Sequence, residues 1–143
     1  MYNRYVALNP LNKAFLQKEY VEQFSIKKES GTINIEICLK DIENFAEVYH
    51  DIQETASDIL NGKPFTVKIT NRPSERLEDI YINEVQFVIF EGIKTGNFTE
   101  MREELDKLET EYKTDIRVFI DDENLYLQMK SDEGLLFKII RMH

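Results

Sequence analysis

The sequence predicts an α+β fold: a mostly antiparallel sheet of six or seven strands, packed by two main helices at about 41–61 and 98–113, with a short helix near the N-terminus. Three observations lead there. Two segments carry apolar residues at helical period, several others alternate apolar and polar residues at period two, and turn residues separate them. The length suits one domain, residues 1–143, and a chain of about 150 residues can bury roughly 68–70 % of its unfolded surface without disulfides or a structural metal. An apolar content of 42 % with 11 % aromatics is that of a cooperative globule and not of a disordered segment.

Asn9-Pro10 reads as an N-cap followed by proline at the first helical position, opening a helix through about Lys18 with Leu11, Phe15 and Leu16 inward. From Tyr20 the period changes to two, with Tyr20, Phe24 and Ile26 on one side. Ser30-Gly31 then turns the chain into Ile33, Ile35, Ile37 and Leu39, and an antiparallel hairpin results. Asp41 is the expected cap of the first main helix and Gly62 its left-handed stop, after which Phe65, Val67 and Ile69 make a third strand. A loop around Arg72-Pro73-Ser74 follows.

Residues from about Asp79 to Glu91 hold Ile80, Ile82, Val85, Phe87, Val88, Ile89 and Phe90, apolar on both faces in the later half, which predicts a long central strand. Gly92 and Gly96 mark a loop. Asn97 with Glu100 has capping-box spacing for the second main helix, whose inward stripe is Met101, Leu105, Leu108 and Tyr112. Glu103 with Lys107 and Glu109 with Lys113 are favourable i,i+4 pairs on it. Ile116 to Ile120, Leu125 to Met129 and Leu135 to Met142 then form a three-stranded meander. Strand–helix–strand order occurs twice, consistent with a duplicated unit.

Charge is distributed unevenly. The segment from Asp41 to Gly62 carries six carboxylates and no Lys or Arg, and so contributes most of the formal net charge of −9. Five of the six, Glu43, Glu47, Asp51, Glu54 and Asp58, are spaced by four, four, three and four residues, which aligns them on one helical face. The opposite band, from Ile42 and Phe45 to Ile59 and Leu60, is apolar. Like charges at i,i+4 cost an isolated helix roughly 0.2–0.5 kcal/mol per pair, and the second helix compensates its acids where the first leaves them bare.

Catalytic hardware is sparse. The chain has two histidines, of which His143 is the last residue; His50 lies at the edge of the acidic stripe and reads as a surface residue. Cys38 is the single cysteine, so no internal disulfide forms, and its mid-strand position without a paired histidine predicts a structural thiol. No catalytic residue, metal ligand or cofactor site is assigned. The helix stripe spreads its acids along the axis, the turn Asp121-Asp122-Glu123 lacks EF-hand spacing, and Gly92 to Asn97 matches neither a Walker loop nor a dinucleotide fingerprint. Scattered Lys and Arg disfavour nucleic acid. Short apolar runs give no membrane span or secretory signal, so the expected location is the cytoplasm.

The expected function is therefore a non-enzymatic, acidic interaction protein. Glu43, Glu47, Asp51, Glu54 and Asp58 would bind and neutralise a basic protein partner, as an immunity protein, antitoxin or phage-type inhibitor does. The alternative is a small-ligand-binding module with an aromatic-lined pocket between helices and sheet. An enzyme working through two facing carboxylates is a third class.

Overall fold

A computed structural model describes the backbone of residues 2–143 and the side chains from Asn9 onward. The architecture is mixed α+β, but the expected single sheet is replaced by two three-stranded sheets, and the chain groups into two compact units, residues 1–71 and 72–143.

The first unit runs α1 (Tyr2–Leu16), β1 (Val21–Glu29), β2 (Thr32–Leu39), α2 (Phe45–Leu60) and β3 (Phe65–Ile69). Asn9-Pro10 does not start the first helix, since Pro10 lies inside α1. An Asn-Pro pair in mid-helix has the same local signature as an N-cap followed by N1, so sequence alone misplaces the boundary. Leu11 and Phe15 are buried as expected, whereas Leu16 points to solvent. Ser30 and Gly31, with φ of 51° and 82°, form a two-residue turn of the twisted type that matches paired antiparallel strands. In β2 every second side chain, Ile33, Ile35, Ile37 and Leu39, is buried, with Phe24 and Ile26 of β1 in register on the same face.

β3 pairs with β2 in parallel, Ile33 opposite Phe65 and Ile37 opposite Ile69, whereas the other three strand pairings among the described residues are antiparallel, as expected. The reason is topological. A helix that carries the chain back along the sheet returns the next strand in the same direction, so β2, α2 and β3 form a crossover unit. Phe45, Ile52, Ala56 and Leu60 of α2 complete the core of this unit.

The second unit opens with α3 (Glu75–Ile80), a π-helical turn (Tyr81–Val85) and α4 (Gln86–Thr95). This continuous helical segment overturns the central strand expected at 79–91. Its buried residues are Leu77, Ile80, Val85, Ile89 and Gly92, separated by steps of three, five, four and three. The step of five crosses the π turn, where i→i+5 bonding widens the helix, and it disguises the helical period. Phe87 and Phe90, expected inside a sheet, are exposed. Gly92, read as a loop residue, is a helix contact, while Gly96 (φ 74°) does end the helix.

α5 (Phe98–Tyr112) begins as expected at Asn97, whose Oδ1 accepts from the Glu100 N–H at 3.1 Å while its Nδ2 donates to the Glu100 carboxylate at 2.9 Å. β4 (Asp115–Ile120), β5 (Asn124–Ser131) and β6 (Gly134–Arg141) form the antiparallel meander. One face of that sheet, with Ile116, Leu125, Leu127, Met129, Leu136 and Ile140, joins the helices in one apolar cluster. Arg76 of α3 donates to the Tyr112 carbonyl and to the Thr114 hydroxyl, closing the C-terminus of α5. The second unit has no parallel crossover, so the two units are not copies of one motif. Among the described residues, no helix is long and apolar enough to cross a membrane.

Candidate functional site

α2 begins at Asn44 and not at Asp41. Asn44 Oδ1 accepts from the Glu47 N–H at 3.1 Å, and the helix ends at Asn61 in the left-handed region, one residue before Gly62. Glu43 therefore precedes the cap, and Glu47, Asp51, Glu54 and Asp58 are the acids on the helix itself. Ile52, Ala56 and Leu60 anchor the opposite face in the core, which fixes the direction of the acidic one.

The structure divides this stripe by role. Glu43, Glu47, Glu54 and Asp58 are exposed, while Asp51 is half-buried. Asp51 Oδ2 accepts from the Tyr20 hydroxyl at 2.6 Å and pairs with Lys18 Nζ at 2.9 Å. Partial burial pushes its carboxyl up, but the Tyr20 hydrogen bond and Lys18 outweigh that and hold it below the ordinary carboxylate range. Lys18 and Tyr20 lie between α1 and β1, and nothing in their local sequence marks them as partners of a residue about thirty positions on.

The remaining acids are differently placed. Among the described residues, Glu47, Glu54 and Asp58 make no ion pair. Glu47 stands in the first turn, where the helix dipole favours an anion. Asp58 stands near the C-terminal end with no basic residue in the last turn, an arrangement that costs roughly 0.3–1 kcal/mol at an exposed site. α5 behaves otherwise. Arg102 pairs with Asp106 at 3.5 Å and Lys107 with Glu104 at 2.9 Å. These replace the expected pairs, because Glu109 accepts instead from the Ile116 backbone N–H and Lys113 forms the left-handed cap.

His50 is exposed on α2. Cys38 is half-buried on the face of β2 opposite the core, and burial followed by the charge of Glu22 pushes its thiol up, away from a reactive thiolate. Among the described residues, no buried polar side-chain atom lacks a hydrogen-bond partner, and no group of three or more His, Cys, Asp or Glu is placed to hold a metal ion. Described residues of the second unit line surface cavities. One of about 280 Å³ separates α4 from α5, with Glu91, Glu100 and Glu104 on its walls and Gly92 and Met101 at its base. Another, of about 510 Å³, is bordered by Glu75, Asp79, Tyr112 and Glu133. Tyr112 is the one aromatic ring between them.

No protein-family model, curated protein or solved structure matches the chain.

Proposed function

We propose that this protein is a non-enzymatic interaction module that binds and neutralises a basic protein partner through the acidic face of α2, in the manner of an immunity protein, antitoxin or phage-type inhibitor. The observation that supports this reading is the contrast between α2 and α5. α5 neutralises part of its acid with Arg102 and Lys107, whereas Glu47, Glu54 and Asp58 of α2 are exposed without an ion pair among the described residues. A rigid line of carboxylates raises the encounter rate with a basic surface and rejects acidic ones. Asp51 is excluded from this role because Lys18 and Tyr20 already occupy it.

The test is affinity capture from the source cell at low and at high salt, with the wild-type chain and with the combined variant Glu47→Gln, Glu54→Gln and Asp58→Asn. A basic protein retained by the wild type at low salt, released at high salt and lost from a folded variant is the expected result. Equal retention by both chains would remove the face from the binding surface.

A further inference from the structure

The second unit carries an exposed apolar face of its own, unrelated to α2. Ile82, Phe87 and Phe90 are 46 %, 64 % and 49 % exposed, on one continuous helical segment whose other side supplies Val85 and Ile89 to the core. The π turn brings Ile82 beneath Phe87, five residues on, and Phe90 follows one α-helical turn later. Large apolar side chains grouped on one exposed sector mark a contact surface more often than a solvated one.

This face adjoins an acidic cleft. Glu91, one turn beyond Phe87, forms one wall of the cavity between α4 and α5, and Glu100 and Glu104 stand across it. The base is apolar, since Gly92 lets Met101 approach α4 closely. Glu100 holds the Asn97 amide and Glu104 holds Lys107, each through one oxygen, which leaves acceptor capacity on both carboxylates. Glu91 has no ion pair among the described residues. Lys94 lies one turn beyond Phe90 on the exposed side of α4, so an incoming cation is steered away from it and toward the cleft.

We propose that Ile82, Phe87 and Phe90, together with the cleft walled by Glu91, Glu100 and Glu104, form a docking surface for a short basic amphipathic segment of a protein partner. Its apolar side chains pack on the two phenyl rings, and a Lys or Arg enters the cleft. Charge decides the occupant. The carboxylates beside the rings repel anionic lipid and nucleic acid, and the net charge of −9 opposes a second copy of the chain.

The probe is a synthetic helical peptide with Leu and one Trp on one face and Lys on the other, titrated into the full chain. The chain contains no Trp, so peptide fluorescence alone reports binding. Saturable binding is expected, weakened about tenfold or more by Phe87→Ala with Phe90→Ala, and weakened also by Glu91→Lys. The variant Glu47→Gln, Glu54→Gln and Asp58→Asn should bind the peptide like the wild type, which keeps this surface distinct from the α2 proposal. Circular dichroism melts confirm that each variant folds. Absent binding, equal binding by the phenylalanine variant, or equal binding of a peptide with Glu in place of Lys overturns the proposal. So does loss of binding in the α2 variant, self-association that Phe87→Ala abolishes in sedimentation, or Phe87-dependent binding to phosphatidylcholine vesicles.

Discussion

The Tyr20 hydroxyl and Asp51 Oδ2 are 2.6 Å apart, and Lys18 reaches the same oxygen at 2.9 Å, so the central acid of the α2 face fastens the helix to the segment between α1 and β1. Replacing Tyr20 by Phe or Asp51 by Asn is expected to destabilise the protein by about 1 kcal/mol in urea unfolding, less than the roughly 1.5–3 kcal/mol of a hydrogen bond to a charged group because the site is partly solvated. Glu54→Gln, on the same helix, should stay within about 0.5 kcal/mol of wild type. An Asp51→Asn variant as stable as wild type would show the staple to be inert.

The same pair sets a pH window. The Asp51 carboxyl is held low, so its contribution is present above the unfolded Asp value of about 3.9 and is lost as pH falls through the folded value. Burial, then Asp51, pushes the Tyr20 phenol up, so its contribution is present below about 10 and is lost as pH rises through the folded value. The stability gap between wild type and Tyr20→Phe should therefore be level between about pH 5 and 9 and narrow on either side. A gap unchanged at about pH 3 would mean that Tyr20 acts by packing alone.

Asn71 extends the first sheet with its side chain. Its Oδ1 accepts from the Leu39 N–H at 2.7 Å and its Nδ2 donates to the Leu39 carbonyl at 2.8 Å, just beyond the last backbone bond from Thr70 to Ile37. Asn71→Ala should cost about 1–3 kcal/mol, because a partly buried donor and acceptor lose their partners together. Asn71→Asp should be at least as damaging at neutral pH, where a carboxylate would face the Leu39 carbonyl. Thermal melts at pH 7 check both.

Gly92 is small because Met101 is close. A Cβ at this position would lie 2.8 Å from both Cβ and Sδ of Met101. Gly92→Ala gains about 1 kcal/mol of helix propensity but forces α4 from α5, an overpacking that costs about 1–3 kcal/mol. Net destabilisation is expected, with partial recovery when Met101→Ala is added. A more stable single variant would show that the two helices separate freely.

Cys38 should alkylate slowly. With the thiol pushed up by burial and by Glu22, the rate of reaction with iodoacetamide should rise only above the ordinary cysteine value of about 8.5. Cys38→Ser should leave partner binding intact. Rapid labelling at pH 7 would reveal an activated thiol.

Much of the local structure was legible in the chain. Alternation from Ile33 to Leu39, the amphipathic bands of α2 and α5, the Asn97 cap and the meander after Thr114 depend on neighbours within a few residues, and period and capping chemistry record them directly. The acidic stripe was legible for the same reason. Three things were not. The segment from Ile80 to Phe90 hid its helix because a π turn inserts a step of five into the apolar period. The parallel pairing of β2 with β3, and the division into two sheets, depend on how a helix returns the chain, which no local pattern encodes. The difference between Asp51 and its neighbours Glu47 and Glu54 is tertiary as well. All three are acids at helical spacing, and only the folding of Lys18 and Tyr20 against Asp51 makes one of them structural and leaves the others at the surface.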